Sequence, residues 1–368
     1  MAVNFRNLRN TEAFRKREKT ELKNPVPFKK QTLTEISPSE IPLTPELRLL
    51  TGLTEPMEQV CFFDTETTGL SGGAGSMIFQ AGIGYFEGDK LVVDQFFISS
   101  PVEEPRFLNA LNEILSSHPT VVTYNGKSFD IPLLNTRLIL NRMAEPELNV
   151  IDLLHASRAI WKHQLSSFRL SDVERDVLGI FRKNDLPGAM VPGVYRDYIL
   201  GRDRGAILEV LRHNHQDIVS LALLLKHMAS ACKGQNNPHI LVTLARKHFQ
   251  NKDSDACIDA ASRCLHGQIP EKVRAETLML ASLALKRRGE LVRAAKVWAK
   301  LGNWQAKLEL AKYLEHRRKD YAGALAVVNR LLASPSLSFS VRKALLYRKT
   351  RLQRKLSGGK GREVMGDG

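Results

Sequence analysis

All strand-like text in this 368-residue chain lies between Gln59 and Ile151, and past Gly234 strand signals vanish. Val60-Cys-Phe-Phe63 is a short apolar run of the kind that forms a buried strand. Phe79 to Phe86 and Leu91 to Ile98 flank Glu87-Gly-Asp89, which is a hairpin signal. Pro105 to Ser117 places Phe107, Leu108, Leu111, Ile114 and Leu115 at helical spacing. Thr120 to Tyr124 is a β-branched strand, Ile131 to Met143 a second helix and Val150-Ile151 a short strand. Helical text then runs to about Ala231. Three strands followed by strand and helix in alternation predict an α/β domain over 46–230, a mixed sheet flanked by helices.

The flanks differ. Residues 1–45 contain Pro25, Pro27, Pro38, Pro42 and Pro45 and show no sustained periodicity, which predicts a flexible basic arm. Residues 235–356 are Ala- and Leu-rich. There Lys252-Asp253, Gly289-Glu290 and Lys319-Asp320 each separate two helical stretches, and each is followed by small residues at Cys257, Ala294-Ala295 and Ala324. Offsets of about 37 and 30 residues predict an all-α, tetratricopeptide-like array. Residues 357–368 are expected to be a disordered tail.

The net charge of +15 is unevenly placed. Residues 1–30 hold nine Lys/Arg against three Glu, 31–230 hold 17 basic and 25 acidic side chains, and 231–368 hold 28 basic and 11 acidic. An acidic middle between basic flanks fits a cation-dependent site served by arms that attract a polyanion. The run from Arg342 through Lys343, Arg348, Lys349, Arg351, Arg354 and Lys355 to Lys360 is the densest patch. No stretch approaches the roughly 18 to 20 apolar residues of a membrane helix. The first thirty residues lack the apolar core of a secretory signal. Cys61, Cys232, Cys257 and Cys264 are too scattered for a disulfide scaffold or a zinc site. A cytoplasmic protein with no membrane partner is expected.

Chemistry begins at Asp64-Thr-Glu66. Residues i and i+2 of a strand share a face, so both carboxylates project together. That is unfavourable unless a cation neutralises them, and hard divalent ions prefer oxygen ligands. Asp130, closing Tyr124-Asn-Gly-Lys-Ser-Phe-Asp130, is placed either to serve such a site or simply to cap the helix that follows. His213 and Asp217 are four apart on one helical face, whereas His215 should point elsewhere. Asp152 reads as structural. Phe129 reads as a core plug, and Trp298 and Trp304 as core of the helical region. Tyr195 and Tyr198 are as consistent with core as with base stacking.

Asp-x-Glu on a first strand, then Asn125-x-x-x-Phe-Asp130, then His213-x-x-x-Asp217, resembles the DEDD exonuclease superfamily on a ribonuclease H-like fold. The longer text Asp64-Thr-Glu-Thr-Thr-Gly-Leu-Ser-Gly-Gly-Ala-Gly75, Asn125-Gly-Lys-Ser-Phe-Asp130, Asp185-Leu-Pro-Gly188…Val191-Pro192 and Asn214-x-x-Asp217 is similar to the YprB-like ribonuclease H-like proteins, in which a tetratricopeptide-type tail commonly follows. The resemblance implies that Asp64, Glu66, Asp130 and Asp217 bind two Mg²⁺ or Mn²⁺ ions. It also implies hydrolysis of phosphodiester bonds by the two-metal arrangement. Thr67, Asn125, Lys127 and Ser128 are expected to contact substrate. The superfamily orients its water with a His five residues before the last Asp or a Tyr four before it. Here Arg212 and His213 occupy those places, so His213 is the expected base.

The expected activity is a 3′→5′ exonuclease on single-stranded DNA, in DNA repair, with a helicase or other protein as a partner for the helical region. An exoribonuclease in RNA processing and a non-catalytic nucleic-acid-binding adaptor are the alternatives.

Overall fold

Six strands form one sheet in the order β1-β4-β3-β2-β5-β6. They are β1 (Lys29–Thr34), β2 (Val60–Thr67), β3 (Ile78–Glu87), β4 (Lys90–Phe97), β5 (Thr120–Thr123) and β6 (Asn149–Asp152). The computed structural model describes residues 28–69, 75–182, 186–233, 237–335 and 337–360. The chain divides into two units, 1–233 and 234–368. β1 to β4 pair antiparallel, whereas β5 and β6 run parallel to β2. The helices of this unit are α1 (Pro45–Thr51), α2 (Glu104–Ser117), α3 (Asp130–Leu140), α4 (Leu153–Trp161), α5 (Leu170–Val173), α6 (Val191–Ile199) and the long α7 (Ile207–Lys233). A mixed sheet flanked by helices is what the patterning predicted, and the second unit is helical among its described residues.

Alternation along β2 decides where chemistry can occur. Cys61 and Phe63 enter the core cluster built with Phe107, Leu111, Leu134 and Tyr195 from α2, α3 and α6. The intervening Phe62, Asp64 and Glu66 therefore face α7, which packs across β2, β3 and β4. Glycines make that approach possible. A Cβ at Gly82 would lie 2.4 Å from Asn214 Oδ1 and 2.7 Å from Ile218 Cγ1, and one at Gly84 would lie 2.6 Å from Ile218 Cγ2. In the interior of a strand, glycine marks such a close approach of a neighbour.

Part of the expected flexible arm is sheet. Lys29–Thr34 pairs with Leu91–Phe96 as an edge strand, and Pro38–Glu40 and Pro45–Thr51 are helical turns. The strand is held by polar groups more than by an apolar stripe. Buried Asp94 takes an ion pair from Lys29 Nζ at 2.7 Å and hydrogen bonds from Gln31 Nε2 and the Tyr85 hydroxyl at 2.9 and 3.0 Å. Its Lys-Lys-Gln-Thr-Leu-Thr text hides a strand because almost nothing in it is apolar. The remainder of the expected arm, residues 1–27, lies outside the described residues.

Of the five aromatic side chains read from the sequence, Tyr195 and Tyr198 are core. Tyr195 stacks on Phe79 at 4.0 Å and Tyr198 meets Phe97 edge-on. Phe129 is 50% exposed and is not a core plug. Trp298 is buried and donates to Ser282 Oγ at 2.8 Å, but Trp304, at the start of a helix, is only partly covered.

The second unit contains α8 (Pro238–Gln250), α9 (Ser254–Leu265), α10 (Glu271–Arg287), α11 (Leu291–Lys300), α12 (Trp304–Tyr313), α13 (Tyr321–Leu332) and α14 (Phe339–Lys360). Each packs on the next, and α8 also packs on α10. The three expected turns share one backbone feature, a left-handed residue at Lys252, Gly289 and Lys319 with φ of 63°, 82° and 56°. Asp253 and Asp320 follow as N-caps, accepting from the N–H groups of Ala256 and Gly323. The small residues Cys257, Ala294 and Ala324 are fully buried between helices.

The basic run near the C-terminus is partly structural. Buried Glu315 is contacted by Arg348, by Arg351 at 2.8 Å and by Lys355 at 3.0 Å. Arg342 donates to the carbonyls of Leu332 and Ser334. Burial raises the Glu315 carboxyl, but hydrogen bonds from Arg351 and Lys355 and the nearby arginine charges outweigh it and hold it at about 2. α14 continues to Lys360, past the expected boundary at 356, and residues 361–368 lie outside the described residues. Glu315→Gln should cost about 3 kcal/mol, the low end for breaking a buried ion pair, because Arg351 and Lys355 stay partly hydrated. Thermal unfolding followed by circular dichroism checks this. A destabilisation under about 0.5 kcal/mol would show that the cluster does not hold α14.

Candidate active site

β2 delivers Asp64 and Glu66 at its carboxyl end, where the register with β3 shifts between Glu66 and Thr67. Ligands of open α/β sheets gather at that edge. α7 brings Asp217 and His213 down onto the same face. Asp130 opens α3 from the other side of the sheet, and the link is Thr65, whose side chain points opposite to Asp64 and donates to Asp130 Oδ1. Three separate elements thus bring the four predicted carboxylates together. Asp64 records the convergence. Burial first, then the charges of Asp217, Asp130 and Glu66, push its carboxyl well above the ordinary range, against a hydrogen bond from Asn214. Burial also pushes Asp130 up to about 6, despite the hydrogen bond from Thr65.

Asp64, Asp130 and Asp217 each also have a protein donor, from Asn214, Thr65 and Arg182. Asn214 Nδ2 donates to Asp64 Oδ2 at 2.9 Å and to its carbonyl at 3.2 Å. Gln95 Nε2 in turn holds the Asn214 Oδ1 at 3.2 Å and the Leu211 carbonyl at 2.7 Å. Arg182 contacts Asp217. As the side chains stand, no three Asp, Glu, His or Cys residues form a metal-holding group among the described residues. The donor set nevertheless fits a hard divalent cation, being four carboxylates whose mutual repulsion is relieved only in part. The amide of buried Gln80, paired with Glu66 across the β2–β3 ladder, has neither polar atom satisfied.

His213 lies where the sequence placed it, with Nε2 3.5 Å from Asp217 Oδ2 and 4.0 Å from Glu66 Oε1. His215 points away, its Nε2 2.8 Å from Thr32 Oγ1 on β1, and burial with Lys30 nearby lowers it to about 4. It serves the edge strand.

The loop between β5 and α3 is tightly made. Asn125 takes φ of 65° and its N–H donates to Asp152 Oδ1 at 2.8 Å; the same oxygen accepts from Leu154 N at 3.0 Å. Asp152 is therefore the loop's anchor. Gly126 cannot carry a side chain, since a Cβ there would meet Thr123 Oγ1 at 2.1 Å and Asp130 Oδ2 at 2.8 Å. Lys127 and Ser128 are exposed at the loop tip, and Thr67 donates to the Gly69 carbonyl at 2.7 Å. An open groove of about 600 Å³ beside this loop is lined by Tyr124, Asn125, Arg158, Phe168 and Arg169 among others. Of the Gly-rich segment 71–75 only Gly75 is described, and Asp185 of the Asp-Leu-Pro-Gly text lies outside the described residues.

Several supporting residues escaped the sequence reading. Gly82 and Gly84 were detectable as two glycines in an apolar strand. Asn214 was read only as part of the Asn214-x-x-Asp217 text, and its bond to Asp64 was missed. Arg182, Glu174 and Gln95 gave no signal, because each meets the site only through the fold.

The RNase H superfamily matches residues 61–229. The uncharacterized protein YprB of Bacillus subtilis (strain 168) is 34% identical over 312 residues, which covers 80% of this chain and 75% of that one. Among solved structures, the family B DNA polymerase from the hyperthermophilic archaeon Pyrobaculum calidifontis is similar over 62% of this chain and 29% of the polymerase. That likeness has a TM-score of 0.36 at 14% identity.

Proposed function

Because the chain belongs to the RNase H superfamily and to the family of YprB, we propose that it is a DEDD-type nuclease, a 3′→5′ exonuclease that removes nucleotides from single-stranded DNA. The observation that carries this reading is the meeting of Asp64, Glu66, Asp130 and Asp217 from β2, α3 and α7 at one sheet edge, close enough that the other three raise Asp64. Bound there, Mg²⁺ or Mn²⁺ would supply Lewis-acid stabilisation of the charge that develops on the scissile phosphate. Asp64, Glu66, Asp130 and Asp217 would hold it. Asn214 and Gln95 keep Asp64 aimed, and Thr65 does the same for Asp130. His213 Nε2 faces Glu66 and Asp217, where it would take the proton of the attacking water. Thr67, Asn125, Lys127 and Ser128 line the approach as substrate contacts. Phe129, half exposed beside Asp130, offers a ring on which a terminal base can stack. Unpaired lysines and arginines of the second unit, Lys343 and Lys349 among them, would add polyanion affinity that weakens with salt. DNA repair is the proposed setting, with the helical unit as the docking module for a helicase or similar protein.

The test uses one single-stranded DNA labelled at either end and a matched RNA, with Mg²⁺, Mn²⁺ or EDTA. A 5′-labelled DNA shortening stepwise only with metal is the expected result. Stepwise loss from the RNA alone would establish the exoribonuclease instead. Intact polymers of both kinds, bound without metal, would establish an adaptor.

Titration supplies a second expectation. Asp130 has its ordinary value near 3.8 in the unfolded chain and about 6 when folded. A raised carboxyl favours the folded state while protonated, and that contribution is lost as pH rises from about 4 through about 6. In EDTA the melting temperature should therefore fall across that window. Mg²⁺ should restore it above pH 6 and do little at pH 4.5, because a ligand carboxyl must first lose its proton. A melting temperature equally raised by Mg²⁺ at both pH values would exclude Asp130 as a ligand.

A further inference from the structure

Arg182 is drawn into the acidic site from a segment that carries none of the four carboxylates. Its Nε is 2.5 Å from Glu174 Oε2 and its Nη2 is 2.7 Å from Glu174 Oε1, a bidentate pair. Glu174 is fully buried at the start of a π-helical turn (Glu174–Leu178) that continues α5, and it also accepts from Ser220 on α7. From this base the guanidinium reaches 35 residues along the chain to Asp217. Its Nη1 lies 3.2 Å from His213 Nδ1.

A guanidinium has only donors. Nδ1 of His213 must therefore be the acceptor of that bond, which leaves the proton of the neutral ring on Nε2. Nε2 is the nitrogen turned toward Asp217 and Glu66. With its proton already there, it can donate to those carboxylates but cannot accept from a water. One side chain thus occupies an oxygen of an expected metal ligand and holds the expected base in the tautomer that cannot work.

We propose that Arg182 is a positioning residue that keeps the site closed to metal and water, a resident cation on Asp217 that a divalent ion must displace. The proposal rests on the nuclease reading given above. Displacement frees Asp217 and Nδ1 of His213 together, so metal entry and release of the base are one event. Glu174 gives the displaced guanidinium a place to stay, which makes the exchange reversible rather than a local unfolding.

The test is Mn²⁺ binding without nucleic acid, by calorimetry, to wild type, Arg182→Gln and the double variant Arg182→Gln/Glu174→Gln. The double variant is needed because Arg182→Gln alone leaves Glu174 charged and buried. Mn²⁺ should bind the double variant about ten- to a hundredfold more tightly, the range that loss of one charged hydrogen bond corresponds to. Nitrogen-15 spectra of histidine-labelled wild type should show the His213 proton on Nε2, and Mg²⁺ should shift that tautomer. The same Mn²⁺ dissociation constant within twofold, in a folded double variant, would overturn the role of Arg182 while leaving the metal-dependent nuclease intact. Absence of Mn²⁺ binding in all three proteins would overturn both.

Discussion

Asp64→Asn should lower metal-dependent cleavage at least about a thousandfold, the loss of roughly 4 kcal/mol of transition-state stabilisation. The same change should raise the melting temperature of the metal-free protein. Asp64 is pushed up by burial and by Asp217, Asp130 and Glu66, so placing this carboxyl there opposes folding once the unfolded chain ionises it. An asparagine keeps an oxygen to accept from Asn214 and removes the repulsion. Activity lost and stability gained in one variant is the signature of a site that stores electrostatic strain for function. Cleavage rates and melting curves on the same preparation check both halves. A variant that loses activity and stability together would mean that Asp64 is structural.

Gly82→Val should be the most damaging change at a residue with no chemistry of its own. Even the first carbon of the new side chain would stand 2.4 Å from Asn214 Oδ1 and 2.7 Å from Ile218 Cγ1. Asn214 has little room, being held by Gln95 and by Asp64 at once. α7 must back away from β3, at about 1–3 kcal/mol for overpacking and more for the valine methyls. The retreat carries Asp217 and His213 with it, and a misplacement near 1 Å at a catalytic site costs about a hundredfold in rate. Cleavage should therefore fall further than chemical denaturation alone accounts for. Gly88→Val serves as the control, because a Cβ at Gly88 meets nothing within 4 Å and only the turn, at φ of 58°, is strained. If the two variants lost activity equally, the close packing of α7 on β3 would not be what positions the site.

Part of the candidate site's geometry was legible without coordinates because its signals are local. Asp64 and Glu66 share a face by the two-residue period of a strand, and His213 and Asp217 share one by the helical repeat. The turns at Lys252, Gly289 and Lys319 announced themselves through the acid and the small residues that follow each, although only Asp253 and Asp320 cap the next helix with their side chains. β1 was illegible for a complementary reason. Its pairing depends on Asp94, more than fifty residues away on another strand, and nothing in its own polar text advertises that partner.

The basic C-terminal run shows the same division. Its charge is a property of composition, but the share of that charge turned inward is not. Glu315 takes up Arg348, Arg351 and Lys355, which leaves fewer cations facing solvent than a count along the chain suggests.

By itself the sequence determined the two-part architecture and which side chains of one element share a face, Asp64 with Glu66 and His213 with Asp217, since periodicity and short spacing are enough to align side chains within one element. Only the tertiary structure decided that Arg182 stands on Asp217 and His213, that Gly82 clears the way for Asn214, and that His215 serves β1. Those contacts join elements remote along the chain. Chain connectivity says nothing about which of them will meet until the sheet order and the path of α7 are set.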